Sequence, residues 1–256
     1  MIIDTHAHLY YENLIGDIDN ILQRAFESGV TKIIVPAVDL RTSETILKLA
    51  DSYEMIYAAV GFHPCDVKDK NLMDLKYLED FIHQDKTVAI GEIGLDYFWD
   101  KSYNEHQKNF FYAQIELAAD NGLPVIIHTR DSIKDAILFL KDMKLSNLSG
   151  QFHCFSGDED DLKEVLEFEN FYVSFCGNVT YKKFSALDIV KQSPSGKLLA
   201  ETDSPFLTPE PYRGRQNEPS KVIYSIKKIS EVKQIEIEIL KTEMYKNTKS
   251  LFKKIN

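Results

Sequence analysis

MIIDTHAHL, residues 1–9, opens the chain with a short apolar run and then sets Asp4, His6 and His8 on alternating positions. On an extended backbone alternate residues point to one side, so His6 and His8 can offer both imidazoles to one cation, with Asp4 on the same parity. A strand that ends in metal-capable side chains is the form expected where chemistry sits at strand C-termini. The rest of the chain decides whether this pair is a site or only a polar N-terminus.

The combination recurs along the chain. Candidate strands are MIID (1–4), KIIVPAV (32–38), MIYAAVG (55–61), TVAIGE (87–92), LPVIIH (123–128), GQFHCF (150–155), FYVSF (171–175) and KLLAETD (197–203). Between them lie stretches with helical apolar spacing, such as IDNILQRAFESG (18–29), SETILKLADSY (43–53) and YNEHQKNFFYAQIELAADNG (103–122), two of them ending in Gly. Eight strand–helix repeats predict an α/β fold, a closed (β/α)8 TIM barrel whose active site lies at the C-terminal ends of the strands. No linker, low-complexity segment or compositional shift marks a boundary, so 1–256 is expected to be one barrel domain. The tail from Lys221 reads as two closing helices with mixed charge on their exposed faces.

Composition narrows the function classes. With 44% hydrophobic residues in 256, the chain can bury a full core. Forty acidic against thirty basic residues give a net charge of −10, so any nucleic acid must be held locally, by a metal or a few arginines, rather than by a basic face. The three cysteines, Cys65, Cys154 and Cys176, are odd in number and far apart in sequence, which argues against a disulfide framework and a cysteine zinc site and for a reducing cytoplasm. No apolar run approaches the roughly 20 residues that span a bilayer, and no cationic leader precedes an apolar stretch; no membrane and no obligate protein partner are expected.

The polar residues fall where a barrel needs them. His6 and His8 follow the first strand, His63 the third, Glu92 ends the fourth, His128 the fifth, His153 lies at the end of the sixth, and Asp203 follows the eighth. His83 and His106 fall on helical stretches instead. Six N and O donors exceed what one tetrahedral ion needs and suit two divalent cations roughly 3.5 to 4 Å apart that share a carboxylate. Glu92 is the bridging candidate, with His6, His8 and Asp203 on one ion, His128 and His153 on the other, and Asp203 as general base toward an activated water. Imidazole with carboxylate suits Zn, Mn or Ni, and carboxylates with a substrate phosphate suit Mg.

Further residues have weaker claims. His63 in GFHP can reach a phosphate oxygen or simply form a turn beside Pro64. Arg130 shares the face of His128 and can clamp a phosphate, or form an ordinary salt bridge. Arg213 and Arg215, on a Gly-containing loop after the last strand, occupy the usual place of phosphate-binding loops. Glu201 shares the parity of Asp203 and, with Asp4, is expected to support the ligands rather than to ligate. Cys154, next to His153, is expected to face the helix layer. Tyr97, Phe98, Trp99, Phe155 and Phe206 either stack a base or wall the pocket.

DTHAHL (4–9), GFHP (61–64), GEIGLDY (91–97), IIHTRDS (126–132), FHCFSG (152–157), ETDSPFL (201–207) and YRGRQNEP (212–219) together resemble the TatD-like metal-dependent deoxyribonucleases, a branch of the amidohydrolase superfamily. The resemblance runs in order from the first strand to the last barrel segment. It implies a (β/α)8 barrel, two divalent metals on residues matching His6, His8, Glu92, His128, His153 and Asp203, and hydrolysis of DNA phosphodiester bonds, typically as an exonuclease. Many other amidohydrolases carry a carboxylated lysine where this chain has Glu92, a departure shared with the TatD branch. A barrel mouth admits a strand terminus more readily than a duplex interior, which points to single-stranded or frayed ends; the 3′–5′ direction is what the TatD-like resemblance implies, and the residues themselves leave the polarity open. The same activated water would serve a small-molecule ester, lactone or amide, or an aminoacyl-tRNA ester. A third reading is a barrel that keeps metal for stability and acts through interaction.

Overall fold

The apolar runs become strands because they are rich in β-branched residues and buried on both sides, as a parallel sheet wrapped in helices requires. A computed structural model describes residues 1–255. The strands are β1 (Ile2–Asp4), β2 (Val30–Pro36), β3 (Ile56–Val60), β4 (Thr87–Asp96), β5 (Val125–Arg130), β6 (Gly150–Phe152), β7 (Phe171–Phe175) and β8 (Leu198–Ala200). They form one sheet in sequence order, every neighbouring pair parallel. A parallel bridge between Ala7 and Ser204 joins the last strand to the first. Thr5 N–H donates to the Ala200 carbonyl (2.9 Å) and Asp203 N–H to the His6 carbonyl (2.8 Å) across the same seam, so the sheet closes as the expected TIM barrel.

The helices are α1 (Glu12–Ile15), α2 (Ile18–Glu27), α3 (Leu40–Ser52), α4 (Glu79–Ile82), α5 (Asn104–Asp120), α6 (Ile133–Met143), α7 (Glu159–Leu166), α8 (Leu187–Gln192), α9 (Val222–Lys233) and α10 (Ile237–Leu251). Helix α3 starts three residues before the periodic pattern does because Asp39 caps it: its carboxylate accepts Thr42 N–H (2.7 Å), and Thr42 Oγ1 accepts Asp39 N–H (2.9 Å). Helices α9 and α10 are the two closing helices expected of the tail. No helix among the described residues is long and apolar enough to cross a membrane.

Ile3, Ile34, Ala59, Ala89, Ile126 and Leu199 come from six different strands and pack into one small cluster with Leu251, Phe252 and Ile255. Residues of six strands converge only inside a barrel, so the C-terminal segment after α10 plugs its lower end. The opposite end, where the strands finish, is left for polar groups.

Most strands match the expected ranges to within two or three residues, and two of the differences bear on the site. β4 runs four residues beyond Glu92, to Asp96, and all ten of its residues are buried. β8 stops at Ala200 rather than 203, and Asp203 takes a positive φ of 55°. Asp131 and Cys154, also just past barrel strands, share that left-handed backbone, a conformation that costs energy outside glycine and clusters at functional sites.

Candidate metal centre

Glu92 is the hub of the site. Its carboxylate, buried on β4, lies within 3.5 Å of five imidazoles. Oε2 faces His6 Nε2 (3.3 Å) and His8 Nε2 (3.5 Å), whereas Oε1 faces His128 Nδ1 (2.8 Å), His153 Nε2 (2.9 Å) and His63 Nε2 (3.5 Å). Asp203 Oδ1 adds to the first group, 3.4 Å from His8 Nε2 and 3.8 Å from His6 Nε2. One carboxylate thus divides the donors into two sets, one per oxygen.

β4 can hold Glu92 there because glycines flank it. At Gly94, with φ of 136°, a Cβ would sit 2.1 Å from the His128 carbonyl oxygen, so only glycine lets β4 lie this close to β5 and bring Glu92 against His128.

Behind the donors sit the residues that aim them. Asp96 Oδ2 lies 3.0 Å from His128 Nε2, which turns Nδ1 of that ring toward Glu92. Tyr10 Oη is 3.0 Å from His8 Nδ1. Asp4 touches no imidazole nitrogen: it accepts the backbone N–H groups of His6 (3.2 Å) and Thr202 (3.0 Å) and the Thr202 hydroxyl (2.6 Å), and so ties the ends of β1 and β8 together. Glu201 accepts Gln151 Nε2 (2.8 Å), Cys154 N–H (2.7 Å) and Cys176 Sγ–H (2.9 Å), and lies 3.8 Å from His153 Nδ1.

Burial and charge set the protonation states. Burial and the neighbouring His153 push His6 down to about 3, which leaves a neutral imidazole with a free lone pair. Burial alone would lower His153 and raise Glu92, but the pair outweighs it: Glu92 lifts His153 to about 10, and His153, His63 and His6 hold Glu92 well below the usual carboxylate range. His63 is raised well above its usual value by Glu92 and Asp66 against the effect of burial. Burial likewise opposes ionisation of Asp203 and Asp96, yet His8 and His128 respectively keep both below the ordinary range. For Asp4 burial prevails and raises it to about 8, and burial also raises Glu201.

This donor set fits divalent metal. The carboxylates of Glu92, Asp203 and Asp96 converge with no Lys or Arg ion pair among the described residues, and His6 Nε2 and His8 Nε2 point at each other across 3.1 Å. Two imidazole nitrogens and two carboxylate oxygens facing one point make a cation site of the N/O type. His6, His8 and Asp203 form one compact trio and His63, Glu92 and His128 another.

Around the centre the structure departs from the sequence expectation at His63, Asp96, Cys154 and the Arg213–Arg215 loop. His63 does not stand out at the mouth; it packs on His128 with ring centroids 4.6 Å apart and adds a fifth imidazole to the hub. A fourth strand that ends at residue 92 leaves Asp96 out; β4 continues to 96, and the alternation places positions 92, 94 and 96 on one side. Cys154 does not face the helix layer, since β6 ends at Phe152 and the positive φ of Cys154 breaks the alternation; its Sγ, Cys176 Sγ and a Glu201 oxygen lie within 4.8 Å of one another. Cysteines far apart in sequence thus meet just past the ends of the adjacent strands β6 and β7. Arg213 and Arg215 stay outside the donor cluster: Arg213 lies 4.4 Å over the Tyr181 ring, and Arg215 lines a surface cleft beside α2 with Arg24 and Lys221. Of the two helical histidines, His106 bonds the carbonyls of Val67 and Lys70 (3.0 Å each), and His83 caps α4 on the surface.

Aromatic side chains rim the centre unequally. Phe206 lies 6.2 Å from His8 and 5.4 Å from Tyr11, and Phe98 packs edge-on against Trp99, all four aromatics exposed. Phe155 is buried, and Tyr97 is partly buried and donates to Asp135 (2.9 Å). Arg130 stacks 3.6 Å over Phe98.

A closed barrel whose strand ends gather five imidazoles and an aspartate about one shared glutamate defines a metal-dependent hydrolase. The chain belongs to the TatD family: the profile described as TatD related DNase matches residues 3–253. It is 41% identical over 254 residues to YabD of Bacillus subtilis, named an uncharacterized metal-dependent hydrolase, with 99% of each chain covered. Among solved structures, YjjV of Escherichia coli K12, titled a TatD homolog, superposes with a TM-score of 0.93 at 31% identity over 98% of each chain. A TatD family hydrolase from Entamoeba histolytica superposes with a TM-score of 0.86 at 27% identity, covering 98% of this chain and 97% of that one.

Proposed function

We propose that this hydrolase is a deoxyribonuclease that removes nucleotides from the 3′ ends of single-stranded or frayed DNA with two divalent cations, Mg, Mn, Zn or Ni. The observation that carries the reading is the division of the Glu92 oxygens between His6 and His8 on one side and His128 and His153 on the other, since a shared carboxylate is the usual bridge in two-metal phosphodiester hydrolysis. His6, His8 and Asp203 would hold one cation and His128 with His153 the other. Bound there, the cations supply Lewis acidity toward a phosphoryl oxygen and lower the pKa of the attacking water.

The protein's own groups do the rest. Asp203, the most open carboxylate of the site and held ionised, takes the proton of the attacking water. Asp96 and Tyr10 fix the rings of His128 and His8 so that each offers the correct nitrogen. Arg130 would present its guanidinium edge to a phosphate at the mouth, and Arg213 and Arg215, outside the donor cluster, would meet phosphates further along the strand. The three free cysteines fit a cytoplasmic location.

The net charge of −10 favours a second reading, a small uncharged ester or amide; the same activated water would also serve an aminoacyl-tRNA ester, which, like DNA, gains nothing from that charge. One comparison separates the two: metal-reconstituted protein given a 5′-labelled single-stranded oligonucleotide and, in parallel, aryl ester and amide substrates. A descending ladder of 5′-labelled products supports the nuclease; an intact oligonucleotide beside rapid ester turnover overturns it.

A further inference from the structure

Two residues beyond Asp96, the chain places two large aromatic rings in water. Phe98 is 50% and Trp99 70% exposed, their ring centroids 5.0 Å apart at 88°. Arg130, from the end of β5, lays its guanidinium 3.6 Å over Phe98 and 5.2 Å from the Trp99 ring. Unlike Arg24, which is held by Glu218 and Asp17, Arg130 pairs with no carboxylate among the described residues. Its outer donors remain free for an anion.

The cluster is anchored to the metal centre. Asp96 Oδ1 accepts the N–H groups of Phe98 (2.9 Å) and Trp99 (3.4 Å), while Oδ2 of the same carboxylate contacts His128. Tyr97 N–H donates to the Arg130 carbonyl (2.9 Å), which ties the two strand ends together. Exposed, contiguous aromatic surface held in place by buried polar contacts marks a recognition surface rather than a core element.

We infer that Phe98, Trp99 and Arg130 form a stacking subsite for a nucleobase of the bound strand, with the Arg130 edge on its adjoining phosphate; the substrate class rests on the nuclease reading above. The exposed Trp99 ring beside a guanidinium that rests on Phe98 and keeps its outer edge unpaired matches a planar base next to an anion and matches neither a phosphate alone nor an aliphatic ester. Because stacking reads no base edge, the subsite tolerates any sequence.

Trp99 is the only tryptophan in the chain, so its fluorescence reports on the subsite directly. The probes are a phosphorothioate-linked thymidine oligomer and an oligomer of the same backbone without bases, titrated into metal-reconstituted protein at fixed salt. The thymidine oligomer is expected to quench Trp99 and to bind about 5- to 150-fold more tightly than the abasic one. Phe98→Leu and Arg130→Lys are expected to erase most of that ratio and to raise KM for oligonucleotide cleavage more than they lower kcat. Equal affinities without quenching, alongside normal DNA cleavage, overturn the subsite and leave the nuclease reading standing. Base-dependent quenching without cleavage supports the subsite and overturns the nuclease reading, and absence of both overturns both.

Discussion

Asp96 Oδ2 stands 3.0 Å from His128 Nε2, and the other nitrogen of that ring, Nδ1, stands 2.8 Å from Glu92. With Asp96 ionised, the ring proton belongs on Nε2 and the lone pair on Nδ1 faces the centre. Asp96→Asn keeps the shape but can place an amide N–H against Nε2, which forces the proton onto Nδ1. Metal affinity is expected to fall about 10- to 100-fold, measured by competition with a chromophoric chelator. Unchanged affinity would show that Asp96 does not set the tautomer.

Asp203→Asn tests the proton acceptor. The amide retains an oxygen toward His8 but cannot take a proton from water. Turnover is expected to fall about 10²- to 10⁴-fold while most bound metal remains. Equal loss of metal and activity would assign Asp203 to ligation alone.

Gly94→Ala tests the packing that brings β4 to β5. The added Cβ would meet the His128 carbonyl at 2.1 Å and force a positive φ on alanine. A loss of about 3 kcal/mol or more is expected in urea unfolding, larger than for a typical surface substitution. A stability within about 0.5 kcal/mol of the parent would mean that the two strands can separate freely.

Outside the centre, Arg24 clasps Glu218 with two nitrogens, Nη2 to Oε2 at 2.7 Å and Nε to Oε1 at 3.1 Å, and so binds α2 to the loop after β8. Partial burial would raise Glu218, but Arg24 and Ser220 outweigh it and lower its pKa. A carboxylate depressed in the fold contributes stability above its unfolded pKa and loses it as pH falls through the folded one. Glu218→Gln is therefore expected to cost about 1 kcal/mol at pH 7, a value discounted for the exposure of Arg24, and the gap to the parent is expected to close below about pH 4. Urea titrations at both pH values check this; a gap that is constant with pH would remove the ion pair as its source.

Most of the barrel was legible because its signals are local: β-branched runs, helical apolar spacing, and glycines at 29 and 122 whose positive φ lies just past the ends of α2 and α5. His6, His8, Glu92, His128, His153 and Asp203 could be picked out because each falls at or just past a strand end, and the fold brings them within a few ångströms of one another. Three features were hidden for a physical reason. The length of β4 is set by its pairing with β5 as far as Arg130, a tertiary contact with no sequence signature. The inward turn of Cys154 depends on a positive φ that a strand pattern cannot register. The positions of Arg213 and Arg215 depend on how the loop after β8 folds back, with the Thr208 hydroxyl bonded to the Arg215 carbonyl at 2.6 Å.

Metal content tests most directly whether Glu92 joins two cation sites. The chain is reconstituted, freed of excess ion by gel filtration and counted by inductively coupled plasma mass spectrometry, beside Glu92→Gln. The expected result is about two divalent ions per chain in the parent and one or fewer in the variant, because an amide cannot bridge two cations as a carboxylate does. Fewer than one ion per chain in the reconstituted parent, or two in both proteins, would contradict it.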